Sequence, residues 1–252
     1  MIKILETQHY IFHFLEGSLA EWDIEEIAAE QERCYAKICS ILEVDYPHKI
    51  QYYLYNSPQV IGDIFWDGDW CCGFSLTEES DSEVGRQVSL SGDADNCFIV
   101  PPFSVHAVYN EREKCTGAHE DTHIISAMLC EPQSGFLAEG LAMYMDGKWW
   151  GEDNVVWAKR YLEQGNLLST ERLILDDEGF YDLNCADTYP VAGAWTEFVI
   201  ETYGVEKFKA FYCSKDYAKD ADAIFGCALG QLQERFVEWI REWPLREKRK
   251  NT

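Results

Sequence analysis

The sequence predicts an α+β protein in two parts, and three observations carry that expectation. Short β-rich runs and alternating segments are confined to about residues 1–114, where they surround one long amphipathic helix. From about residue 115 to 252 the apolar period becomes helical and stays so, interrupted only at Gly, Pro and Asp positions. A chain of 252 residues with 47% hydrophobic and 14% aromatic content can also bury the core that such an enzyme-sized body needs.

Taken in order, His9 to Leu15 reads as a strand. Leu19 to Leu42 then reads as a long helix, because Ile24, Ile27, Ala28, Cys34, Tyr35 and Ile38 recur at helical spacing. Ile50 to Tyr55 is β-rich with little helical period, so a second strand is expected there. Phe65-Trp66-Asp67-Gly68-Asp69-Trp70 reads as a turn-rich connection, and Thr77 to Asp95 is polar enough for a long loop or hairpin. Asn96 to Val100 and Val105 to Tyr109 read as strands, the latter an edge strand able to pair with an extended substrate. A helix opens at Thr116 or Gly117 and runs to about Cys130, ahead of Pro132. A second spans Phe136 to Asp146, with Leu137, Leu141 and Tyr144 on its packing stripe and Gly140 allowing close approach. Further helices follow, broken at Gly151, around Asp176 to Gly179, at Pro190, at Gly204 and before Gly230. Val155 to Leu162, Gly193 to Tyr203 and Leu229 to Trp243 are the clearest of them.

The chemistry concentrates in His119-Glu120-Asp121-Thr122-His123. Residues four apart on a helix share a face, so the two imidazoles converge on one point. Two histidines leave a divalent ion short of ligands, and Glu139, after fifteen intervening residues in FLAEGLAMYM, can complete a three-ligand zinc site with a position open to water. Glu120 sits beside the first ligand and can take a proton from that water, which is the division of labour in an HExxH metallohydrolase. Asp121 lies two residues from His119 and points away from the metal face.

HEDTHIISAM, GFLAEGLAMYMDGKWWG, YPVAGAWTEFVIETYG and LGQLQERFVEWIREW resemble, in that order, the segments of small gluzincin peptidases, the minimal peptidase-MA-like relatives of the thermolysin and aminopeptidase N families. The resemblance spans about Trp22 to Trp243 and implies a zincin-like fold with the active site at the junction of an N-terminal α/β lobe and a C-terminal helical lobe. It further implies zinc bound by His119, His123 and Glu139, with Glu120 as general base. A tyrosine that steadies the oxyanion in aminopeptidase N-like members has its counterpart in Tyr189, with Tyr181 as the rival. Met143 stands one turn after Glu139, where thermolysin-like enzymes carry an acidic partner for the histidines, so their orientation must come from elsewhere. No Gly-x-Met-Glu-Asn segment precedes the motif, and aminopeptidase specificity is therefore not implied.

The formal charge of −24 argues against nucleic acid or an anionic membrane as partner. It is compatible with a basic peptide but reads first as a solvated acidic surface, and a peptide or protein substrate is what the peptidase resemblance implies. MIKILETQHYIFHFLEG has polar residues where a signal peptide needs an apolar core, and no run of some eighteen apolar residues occurs, so a cytoplasmic protein is expected. Its ten cysteines then read as reduced, with the neighbouring Cys71-Cys72 open to a redox or soft-metal role. His106 reads as a surface strand histidine or a substrate contact, and Trp66, Trp70, Trp149 and Trp150 as core or cleft wall. The leading functional expectation is a zinc-dependent peptidase; the alternative is a gluzincin-like binding or regulatory module that keeps the metal without turnover.

Overall fold

The computed structural model describes residues 1–66, 68–69, 71–77 and 83–250, the last seven of these as backbone only. They divide into two compact units, Met1–Met128 and Leu129–Thr252. The division falls after the HExxH helix, whereas the sequence placed it before. The mixture of helices with a mixed sheet is that of an α+β protein.

In the first unit, β1 (Ile2–Glu6) pairs antiparallel with β2 (Tyr10–Leu15), from which Ser18 opens α1 (Leu19–Leu42) by accepting the Glu21 amide at 3.2 Å. The expected apolar stripe of α1 is buried throughout. β3 (Ile50–Tyr55) follows, then α2 (Pro58–Phe65), which the sequence reading missed although Ser57 caps it and Pro58 fills its first position. β4 (Gly73–Leu76) leads to the two-stranded pair β5 (Gln87–Ser89) and β6 (Cys97–Ile99), then to β7 (Ser104–Val108) and α3 (Ala118–Ser126). Trp70 and residues 78–82 of the expected loop or hairpin lie outside the described residues.

The five-stranded sheet has the order β1-β2-β3-β7-β4. Its central pairs, β2 with β3 and β3 with β7, are parallel, and β4 closes one side antiparallel to β7 with Gly73 opposite Ala107 and Leu76 opposite Ser104. This corrects the placement of the edge. β7 is interior and buried at every position, as a parallel strand covered on both faces must be, and the edge beside it is β4. His106 is consequently neither exposed nor available to substrate. It is fully buried, ring-stacked on Tyr53 at 5.1 Å, and hydrogen-bonded to the Tyr55 hydroxyl at 2.9 Å and Ser104 Oγ at 3.1 Å. Burial pushes its pKa down to about 3, so it packs as a neutral ring.

In the second unit α4 (Gly135–Asp146) gives way to a hairpin, β8 (Lys148–Trp149) and β9 (Glu152–Asp153), turned by Trp150 and Gly151 with φ of 51° and 80°. Seven helices follow: α5 (Asn154–Gln164), α6 (Thr170–Leu175), α7 (Asp177–Tyr181), α8 (Cys185–Tyr203), α9 (Val205–Tyr212), α10 (Tyr217–Phe225) and α11 (Leu229–Lys250). α8 continues through Pro190, where a break was expected. A proline at that position leaves the carbonyl four residues back without its helical donor. That carbonyl, of Ala186, instead accepts from the Tyr161 hydroxyl at 2.7 Å. No helix among the described residues is long and apolar enough to cross a membrane.

A disulfide joins Cys130 to Cys213 across 83 residues, so the expectation of ten reduced thiols fails for this pair. Disulfides are rare in the reducing cytosol, which removes the cysteines as support for cytoplasmic placement. Loop-closure entropy makes a bond of this span worth about 2–5 kcal/mol. Replacing Cys130 and Cys213 together with Ser is expected to lower unfolding stability by that amount, read from denaturant midpoints with and without reductant.

Candidate metal centre

The geometry of α3 is fixed from outside the helix. Gly117, its N-terminal neighbour, has φ 141°, a conformation that favours glycine, and offers no side chain for capping. The cap comes from α1 instead. Gln31 Oε1 accepts the Gly117 amide at 2.9 Å, while Gln31 Nε2 lies 2.9 Å from both the Gly117 carbonyl and Asp121 Oδ2. The Tyr10 hydroxyl, from β2, donates to the same Asp121 oxygen at 2.5 Å. Gln31 and Asp121 are wholly buried, and burial together with the Asp121 charge holds the Tyr10 phenol protonated well above its ordinary range. Asp121 thus faces away from the histidines, as its spacing implies, and anchors the helix to the sheet and to α1.

This anchor is the part of the site that sequence reasoning missed. The available signal was Gln31 itself, a polar residue at position 31 of a stripe otherwise formed by Ile24, Ile27, Ala28, Cys34, Tyr35 and Ile38. Such a residue must find partners when the stripe is buried.

On the opposite face, the imidazoles of His119 and His123 stand with ring centroids 5.1 Å apart and planes at 78°. Glu120 projects towards the edge strand. A Cβ added at Gly73, the first residue of β4, would lie 2.6 Å from Glu120 Oε1. Gly73 therefore clears the room that the Glu120 carboxylate occupies.

Glu139 belongs to α4, whose approach to α8 depends on two glycines. A Cβ at Gly140 would meet the Ala192 carbonyl oxygen at 2.8 Å, and one at Gly193 would meet Met143 Cβ at 2.8 Å. This close seam accounts for the expected role of Gly140. It also sets Tyr189 of α8 near enough to Glu139 for the carboxylate charge to act on its phenol. Burial first, and the Glu139 charge second, push the Tyr189 phenol well up, so it is held as a donor. Its ring lies parallel to Phe180 at 6.0 Å and tilted against Trp149 at 5.9 Å. Tyr181 is 56% exposed and packs against Gly135, where an added Cβ would lie 2.5 Å from its ring. It too has its phenol pushed up by burial and by Glu139, and what distinguishes Tyr189 is that it is only half-exposed. Of the tryptophans, Trp149 is thereby placed against Tyr189, whereas Trp150 and Trp66 are exposed.

Among the described residues, His119, His123 and Glu139 form a group that could hold a metal ion, each offering one ligand atom within 4.8 Å of the others. Two imidazole nitrogens and one carboxylate suit a borderline divalent ion such as zinc, and three protein ligands leave a coordination position open. A comparison of the chain with protein-family models and with curated protein sequences finds no match.

Proposed function

We propose that the protein is a zinc-dependent peptidase of gluzincin type. One observation supports the reading: His119, His123 and Glu139 form a group that could hold a metal ion, with Glu120 on the same helix as the two histidines. These three residues would hold a zinc ion, which would supply Lewis acidity towards a carbonyl and towards water. Glu120 accepts the proton of the attacking water and later passes it to the leaving amine. Tyr189, held protonated, donates to the oxyanion that develops on the scissile carbonyl. The buried Gln31, Tyr10 and Asp121 keep α3 from shifting while the proton moves. β4, the sheet edge that begins at Gly73 beside Glu120, is the strand to which an extended peptide would pair.

Incubation of the purified protein with a mixed peptide library, read by mass spectrometry, tests the reading. Cleavage abolished by a chelator and restored by zinc supports it. Zinc binding without any cleavage would instead favour a non-catalytic binding module.

The tyrosine assignment has its own test. Tyr189→Phe keeps the ring between Phe180 and Trp149 while removing the hydroxyl, and loss of one oxyanion donor costs ~10²–10³ in turnover. KM and zinc content should stay near wild type, because the interaction strengthens in the transition state. Tyr181→Phe, assayed in parallel, should change turnover little. The reverse pattern would transfer the role to Tyr181.

A further inference from the structure

We propose that Cys72 and Cys115 are an oxidisable dithiol, a modification site that closes to a disulfide by exchange with a small-molecule disulfide such as oxidised glutathione. The proposal rests on the first unit alone and is independent of the peptidase reading.

The backbone brings the pair together. Val108, the last residue of β7, donates its amide to the Cys72 carbonyl at 2.9 Å and accepts the Cys115 amide on its own carbonyl at 2.9 Å. In an extended strand both groups of one residue point to the same side. Cys72, just before β4, and Cys115, on the return of the Tyr109–Lys114 bridge, therefore meet at one rung of the sheet. The two thiols act on each other, and both are partly accessible. The effect is unequal. Interaction with Cys115 draws the Cys72 thiol below its ordinary range against opposition from burial and Glu113, whereas interaction with Cys72 and burial push Cys115 up. Cys72 is thus the nucleophile and Cys115 the resolving thiol. The adjacent Cys71 is not an equivalent candidate: its thiol donates to the Gly73 carbonyl at 3.1 Å and burial pushes its pKa up to about 12.

The exchange balances without another reactant. The Cys72 thiolate attacks one sulfur of oxidised glutathione, the S–S bond breaks, and the first glutathione leaves with the electron pair. Deprotonated Cys115 then attacks Cys72 Sγ and expels the second glutathione thiolate. The two protons released by the cysteines pass to the two leaving thiolates, so two cysteines are oxidised while one glutathione disulfide is reduced. The new bond would tie the start of β4, where Gly73 abuts Glu120, to the segment entering the Gln31-clamped turn at Gly117.

The native protein is incubated with oxidised glutathione, acid-quenched, alkylated and mapped by non-reducing digestion and mass spectrometry. Titratable thiols should fall from eight to six, with one new peptide joining Cys72 to Cys115. In Cys115→Ser the reaction should stop with glutathione on Cys72, and in Cys72→Ser the Cys115 thiol should remain alkylatable. Retention of all eight thiols, or glutathione on Cys71 or the exposed Cys185 while Cys72 and Cys115 both stay alkylatable, would overturn the proposal.

Discussion

His119→Ala and His123→Ala should each arrive from mild dialysis without the proposed zinc and without the proposed peptidase activity. Zinc sites in small domains are worth ~10–16 kcal/mol over four protein ligands, so each ligand carries about 3 kcal/mol, more than a hundredfold in affinity. A centre with only three protein ligands has none to spare. Each histidine also sits on a helix held independently by Gln31, Tyr10 and Asp121, so the substitutions should remove the metal without unfolding the first unit. Glu139→Gln keeps an oxygen donor and should weaken binding less. Metal content by elemental analysis, with circular dichroism as the control for folding, checks all three. Full zinc occupancy in both histidine variants would remove these residues from the ligand set.

Glu120→Gln should separate the base from the ligands. The substitution preserves shape beside Gly73 and removes only the ability to take a proton, so zinc content and thermal midpoint should match wild type. Turnover should fall by the ~10²–10⁴ that a positioned general base contributes. Single-turnover cleavage rates decide this. A Glu120→Gln variant that cleaves peptide as wild type does, or that has lost its metal, would show that the carboxylate has been given the wrong role.

What the sequence made legible follows the range of the forces involved. α1 was readable because its buried stripe recurs at helical spacing over 24 residues, β3 because its 6 residues are β-rich, and the spacing of His119 and His123 is a property of one helical turn. β1 and β4 were not. IKILE keeps polar residues at an edge, and the four residues of GFSL are too few to show a period. The continuation of α8 through Pro190 depends on a hydroxyl from Tyr161, outside any local window. His106 was misplaced for a similar reason, since strand order, and not the strand's own composition, decides whether β7 is interior. The Cys130–Cys213 pairing is likewise invisible to spacing at a separation of 83 residues. In the candidate site, the residues bearing chemistry were visible and those holding them were not. Gln31 and Tyr10 lie 90 and 111 residues from Asp121, and only folding makes them its partners.

The most direct test is a crystal of the zinc-loaded protein measured on both sides of the zinc absorption edge. A single anomalous peak should lie at bonding distance, about 2.0–2.2 Å, from one nitrogen each of His119 and His123 and one oxygen of Glu139, with Glu120 outside the bonding shell. Strong zinc density elsewhere, with these three side chains making no bond to it, would contradict the assignment of the centre.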